Sequence, residues 1–354
     1  MNVVDRAARL AMVAHDGGQS MICQNCGFKI SNENARYCSR CGAFVAPPVR
    51  LGVLDAEYSR LLFFPRHCGV VNGLAPTKVP VQGATLGGLW LDRPGADNVL
   101  LFFHGNGEVA ADWAPMAKEY AAALDASVWL VDYRGYGTSD GEPSYDTMLS
   151  DAEEVFKAVS ELENTRGKRF ARRFLFGRSL GSAPAIHLAW RFPALVDALI
   201  VDSGFARITE LVRRLRELRG LHDATDPVPE GFADNIDKLA TCRMPTLILH
   251  GAADKLIPVN AARRNFAASA AAGKRLVEIP WAGHNDLIFK AAADDMYFGA
   301  IKSLAMGFFK PASTPERASP ATHAGNTVSR RPSQWCHEAG GVAVKRRRTA
   351  PQER

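Results

Sequence analysis

The chain has 354 residues, 47% of them hydrophobic and 23% charged, a balance that suits a globular protein with a full core and excludes collagen-like or wholly disordered chains. No apolar run approaches the roughly 18 residues that span a bilayer, so the sequence offers no candidate transmembrane helix. The net charge of +6 and pI near 9.0 point at first to an acidic partner, but residues 311–354 hold eight Lys/Arg against three Asp/Glu, so almost all of the basic excess sits in that tail.

Residues 1–20 read as an irregular N-terminus. Cys23, Cys26, Cys38 and Cys41 then form a C-x2-C-x11-C-x2-C array in which each pair is followed by glycine. Such pairs fit tight knuckles whose four thiolates meet one Zn²⁺ tetrahedrally, with no open position for catalysis. No signal-peptide pattern precedes them, so a structural zinc ribbon over 21–46 in a cytoplasmic setting is preferred to two disulfides. A ribbon of this size depends on its metal to fold. Between Cys23 and Cys41 the charges are Lys29, Arg36 and Arg40 against Glu33, too few for a phosphate footprint. Protein docking, or a simple regulatory appendage, is therefore the expected use of the ribbon, and nucleic acid is not an expected partner.

Pro47-Pro48 marks a linker, and from residue 50 to 310 apolar strands alternate with helical stretches. The strands centre on Leu100, Leu130, Leu175, Leu199, Ile248 and Val277, and the clearest helix is Tyr145 to Leu162. This is the βαβ rhythm of a mostly parallel sheet, which places chemistry at the strands' carboxyl ends. The first strand end carries His104-Gly105-Asn106-Gly107. The second carries Asp132-Tyr133-Arg134-Gly135-Tyr136-Gly137, read as a structural loop because its glycine spacing misses the dinucleotide fingerprint and Pro143 follows. The third carries Gly177-Arg178-Ser179-Leu180-Gly181, a strand-to-helix turn sharp enough to expose a serine as a nucleophile. Asp254 and His284 occupy two later strand ends in the order Ser, Asp, His, which suits a nucleophile, an orienting acid and a base. Asp202, at the strand end between, is the alternative acid; Asp254 is preferred. The backbone amides of Asn106 and Leu180 are the expected oxyanion donors. His104 and His250 read as strand-end residues bonded to the backbone, and His187 as a core histidine.

Between Phe205 and Thr241 lies an insertion. Ile208, Leu211, Val212, Leu215 and Leu218 recur at helical spacing, with Arg207, Arg213, Arg214, Arg216 and Arg219 off that stripe. Two readings stand: a surface helix packed on the domain, or a basic lid over the site that shapes an acyl pocket or steers acidic substrates. Peripheral membrane contact by such a lid is left open. Residues 311–354, rich in Pro, Ser, Thr, Ala and Gly, are expected to be a disordered basic tail.

Together, Phe103-His104-Gly105-Asn106-Gly107, Asp132 to Gly137, Gly177 to Gly181, His250 to Asp254 and Gly283-His284-Asn285 resemble the small α/β-hydrolases that include eukaryotic protein depalmitoylases and many bacterial esterases. The resemblance implies an α/β-hydrolase fold with a mostly parallel central sheet and a short helical lid. It implies a serine hydrolase of small acyl esters or thioesters that needs no cofactor for catalysis. The depalmitoylases carry an acylated N-terminal cysteine cluster, and this chain departs from them in pairing its cysteines at metal spacing. A serine peptidase, and a scaffold acting through its ribbon, are the alternatives.

Overall fold

The computed structural model describes residues 21–22, 29–30, 56–69, 71, 73–167, 169–220, 234–291, 296–307 and 316–317. Cys23, Cys26, Cys38, Cys41 and most of the 311–354 tail lie outside the described residues. Near the N-terminus, Met21–Ile22 pairs antiparallel with Lys29–Ile30, with Met21 opposite Ile30.

The domain is built on one sheet. Its strands are β1 (Ala75–Val81), β2 (Ala84–Leu91), β3 (Asn98–Phe103), β4 (Ala126–Val131), β5 (Arg172–Arg178), β6 (Ala198–Asp202), β7 (Thr246–Gly251) and β8 (Lys274–Ile279). A two-residue β9 (Glu316–Arg317) extends one edge, giving the spatial order β9-β8-β7-β6-β5-β3-β4-β2-β1. All pairings from β4 through β9 are parallel; β2 runs antiparallel to both β4 and β1.

Side chains alternate across a strand, so each central strand feeds two cores. In β3, Val99, Leu101 and Phe103 enter one cluster with Met148, Val155 and Ile186, from helices α4 (Tyr145–Arg166) and α5 (Ser182–Arg191). Leu100 and Phe102 enter the other, with Tyr120 of α3 (Ala117–Leu124) and Tyr297 of α10 (Met296–Ala305). The same alternation holds in β5, where Leu175 faces the first cluster and Phe174 and Phe176 the second. Covered on both faces, β3, β4, β6 and β7 are buried along their whole length, which is why they read as continuous apolar runs. Each large strand side chain taken from water contributes about 1.5–3 kcal/mol.

The remaining helices are α1 (Ala56–Leu62), α2 (Ala110–Trp113), α6 (Ile208–Leu218), α7 (Asn235–Leu239), α8 (Asn260–Ala268) and α9 (Leu287–Ala291). Helix α4 starts where Ser144 Oγ accepts the Thr147 amide at 3.1 Å, and ends at Gly167, whose φ is +65°. Helix α6 forms within the insertion and buries Ile208, Leu211 and Val212, but its last turn departs from the periodic reading: Arg216 is buried and Leu218 is 55% exposed. Residues 221–233 lie outside the described set. Glu316–Arg317, inside the stretch expected to be disordered, pairs with Val277 and Glu278 of β8.

His187 of α5 is 1% exposed, and its Nε2–H donates to Glu153 Oε1 at 2.8 Å. Burial pushes its pKa down to about 4, Lys238 pushes the same way, and Glu153 pulls against both. The unfolded chain, with a histidine pKa near 6.5, binds this proton earlier as pH falls, so the contribution is present above about pH 6.5 and lost toward pH 4. Urea unfolding should show a loss of about 3 kcal/mol across that window from this group, and His187→Gln should flatten the slope by about one proton. An unchanged slope in the variant would contradict this assignment.

Candidate active site

Strand β5 runs straight into Ser179. A single 3₁₀ turn, Ser179–Gly181, joins it to α5, and Ser179 takes a φ of +52°, a conformation that costs a non-glycine residue about 1–3 kcal/mol. The flanking glycines make room: a Cβ on Gly181 would lie 2.2 Å from Phe103 O, and one on Gly177 2.3 Å from Gly181 O. Both obstacles are backbone, so neither can move aside. Ser182 Oγ donates to Ser179 O at 2.6 Å and fixes the turn.

Two neighbouring strand ends bring the partners. Asp254, after β7, accepts the Leu256 and Ile257 amides on Oδ1, both at 2.9 Å. Its Oδ2 lies 2.7 Å from His284 Nδ1, and His284 Nε2 lies 2.9 Å from Ser179 Oγ. An ionised carboxylate only accepts, so Nδ1 carries the proton and Nε2 presents its lone pair to the serine hydroxyl. Burial raises the Asp254 carboxyl. Hydrogen bonds from His250 and His284 and the Ile257 amide outweigh that and hold it well below the usual carboxylate range. The loops also interlock, as the Ala253 amide donates to Ala282 O at 2.9 Å.

The alternative acid is committed elsewhere. Asp202 accepts the Tyr297 hydroxyl at 2.6 Å and the Ser203 hydroxyl at 2.8 Å. His250 Nε2–H donates to Ile257 O at 2.8 Å, with Asp254 Oδ2 at 3.4 Å, and His104 Nδ1–H donates to Gly105 O at 2.7 Å.

The loop after β3 is held by the loop after β4. The Tyr133 hydroxyl donates to His104 O at 2.7 Å, and the Tyr136 hydroxyl to Asn106 Oδ1 at 2.8 Å. Asp132 accepts the Ala110 amide at 2.7 Å. The Gly105 amide is taken by Glu108 Oε2 at 2.7 Å, whereas the Asn106 amide makes no hydrogen bond among the described residues. Leu180 lies in the first turn leading into α5, where amides have no intrahelical acceptor. Two tyrosines read from sequence only as part of a structural loop thus set the position of Asn106. Arg178 and Glu108 also contact these loops, and nothing in the motif pattern singled them out.

Residues 94–228 match the family model described as serine aminopeptidase, S33, a span that includes Asn106 and Ser179 but neither Asp254 nor His284. The chain is 31% identical over 246 residues to the uncharacterized protein Rv2307c of Mycobacterium tuberculosis, covering 65% of this chain and 82% of that one. It is 30% identical over 204 residues to human alpha/beta hydrolase domain-containing protein 17B, covering 55% and 62%. Among solved structures, the Pyrococcus furiosus esterase Pf2001 superposes with a TM-score of 0.55 at 16% identity over 70% of this chain and 98% of that one, a likeness of fold. Among the described residues no helix is long and apolar enough to cross a membrane. With its motifs at strand ends of one mostly parallel sheet and these relatives beside it, the chain belongs to the α/β-hydrolases.

Proposed function

We propose that the protein is a serine hydrolase that cleaves carboxylic esters or thioesters through an acyl-enzyme. The observation that carries this reading is the continuous hydrogen-bonded series Asp254–His284–Ser179 on a strained strand-to-helix turn. His284 Nε2 takes the Ser179 proton as Oγ attacks the carbonyl, and Asp254 holds the imidazole in the productive tautomer and stabilises the imidazolium. The amides of Asn106 and Leu180 receive the developing oxyanion, each such donor being worth about 10²–10³ in rate. His284 then gives its proton to the leaving alcohol or thiol. Water attacks the acyl-enzyme with His284 again as base, and the acid and free Ser179 are released.

A stopped-flow experiment with activated p-nitrophenyl esters of graded acyl length tests this. A burst approaching one equivalent of p-nitrophenol per chain, absent in Ser179→Ala, is the expected result; release at the same rate in the variant would refute the reading.

The aminopeptidase description of the matched family favours a second reading, because the same three groups serve amides. Aminoacyl p-nitroanilides run beside the esters separate the two by their relative kcat/KM.

At the N-terminus, we infer a structural zinc on Cys23, Cys26, Cys38 and Cys41, as befits a thiolate site in the reducing cytoplasm, with the ribbon available to a protein partner. Its support is the spacing, a donor set of four thiolates, and the Met21–Ile22/Lys29–Ile30 ladder that brackets Cys23 and Cys26 in sequence. Elemental analysis of the purified chain should find about one zinc per chain, lost in Cys38→Ser. Metal-free protein with all four cysteines reduced would contradict it.

A further inference from the structure

We propose that Arg178 and Glu108 form a positioning brace that registers the His284 loop and the Asn106 loop against Ser179. The inference rests on the serine-hydrolase reading and adds two residues to it. Arg178 immediately precedes Ser179 yet is 6% exposed, its guanidinium buried. Nη1 pairs with Glu108 Oε1. Nη2 donates to His284 O at 2.8 Å and to Asn285 Oδ1 at 3.0 Å. On the other side of the pair, Glu108 Oε2 accepts the Gly105 amide at 2.7 Å and Trp113 Nε1 at 3.0 Å. One ion pair therefore touches the residue carrying the general base and the residue before the expected oxyanion donor, and grows from the residue before the nucleophile.

Gly105 is shaped to this arrangement. A Cβ there would lie 2.8 Å from Arg178 Nη1 and 3.0 Å from Glu108 Oε2, so glycine lets the pair lie flat against the loop. The Arg178 guanidinium also stands 5.6 Å from the Trp113 ring centroid. Stability alone is a poor account of such a pair, because apolar side chains of similar volume often serve a fold as well as a buried ion pair. What an apolar replacement cannot supply is a planar fork whose donors meet three acceptors in fixed directions. Reacting groups displaced by about 1 Å lose ~10²-fold in rate, so a device that fixes the relative placement of these loops acts on kcat.

The test compares steady-state kinetics and unfolding midpoints of the full-length wild type, Arg178→Lys, Glu108→Gln and their double variant. Arg173→Lys serves as control, since it disturbs another largely buried ion pair, with Glu163, at the opposite end of β5 from Ser179. Lysine keeps the charge and loses the fork. The expected result is a kcat lowered ~10²-fold in Arg178→Lys with KM within about twofold, and a double variant no worse than Arg178→Lys, because the two residues act as one unit. Arg173→Lys lowers the unfolding midpoint and leaves kcat within about twofold. If Arg178→Lys does not fold, the near-isosteric Glu108→Gln decides: a kcat reduced at unchanged KM supports the brace, and wild-type kcat overturns it. Wild-type kcat in Arg178→Lys removes the brace and leaves the hydrolase reading standing. A wild-type chain without Ser179-dependent turnover removes that reading and the brace with it.

Discussion

Ser179→Ala is expected to lower kcat for an activated acyl ester by about 10⁶-fold, with the folding midpoint almost unchanged. The variant loses one oxygen, the hydroxyl that lies 2.9 Å from His284 Nε2. The fold should tolerate this because the turn is fixed by backbone: the Ser182 hydroxyl bonds Ser179 O, and the glycine clearances do not involve Oγ. Alanine accepts the +52° φ at about the same cost as serine, so the strain of the turn is retained. The residual rate should come from the oxyanion amides and binding, about 10³–10⁴ over water. Steady-state kinetics and a thermal melt check both halves. An active variant would mean that another group attacks, and an unfolded one that the elbow depends on the hydroxyl.

Asp254→Asn is expected to lower kcat by about 10⁴-fold at neutral pH while leaving the fold in place. The direction follows from which oxygen is held. The Leu256 and Ile257 amides both donate to Oδ1, so an asparagine keeps its carbonyl there and turns its NH₂ toward His284. His284 must then accept on Nδ1 and carry its proton on Nε2, which is the wrong tautomer for taking one from Ser179. Asp202→Asn should cost far less, because Asp202 bonds Tyr297 and Ser203 rather than the imidazole. Equal losses at the two positions, measured as kcat/KM under the same conditions, would reassign the acid.

The parallel half of the sheet was legible because β3 to β8 are buried on both faces and show themselves as short apolar runs ending in polar loops. The Gly177–Gly181 pentapeptide singled out Ser179, and the strand ends that periodicity located, taken in the order Ser, Asp, His, pointed to Asp254 and His284. The antiparallel pair β1–β2 was not legible, since Pro76, Pro80, Gly87 and Gly88 interrupt the strand pattern. Those glycines answer to tertiary neighbours: a Cβ on Gly87 would lie 2.1 Å from Thr138 Oγ1, and one on Gly88 2.5 Å from Leu130 O. Arg216 was hidden for a related reason, because the end of α6 buries a guanidinium where a straight helical stripe would bury Leu218. Arg178 stayed hidden because a motif marks its variable position as free, and only the folded chain brings Glu108 and the His284 carbonyl to it.

The central claim is a covalent bond at Ser179, and acid-quenched mass spectrometry reads it directly. Enzyme mixed with a p-nitrophenyl acyl ester and quenched within the burst should gain the mass of one acyl group, mapped by proteolysis to the peptide containing Ser179. Turnover with no adduct at any quench time, or an adduct of equal yield on Ser179→Ala, would contradict the account.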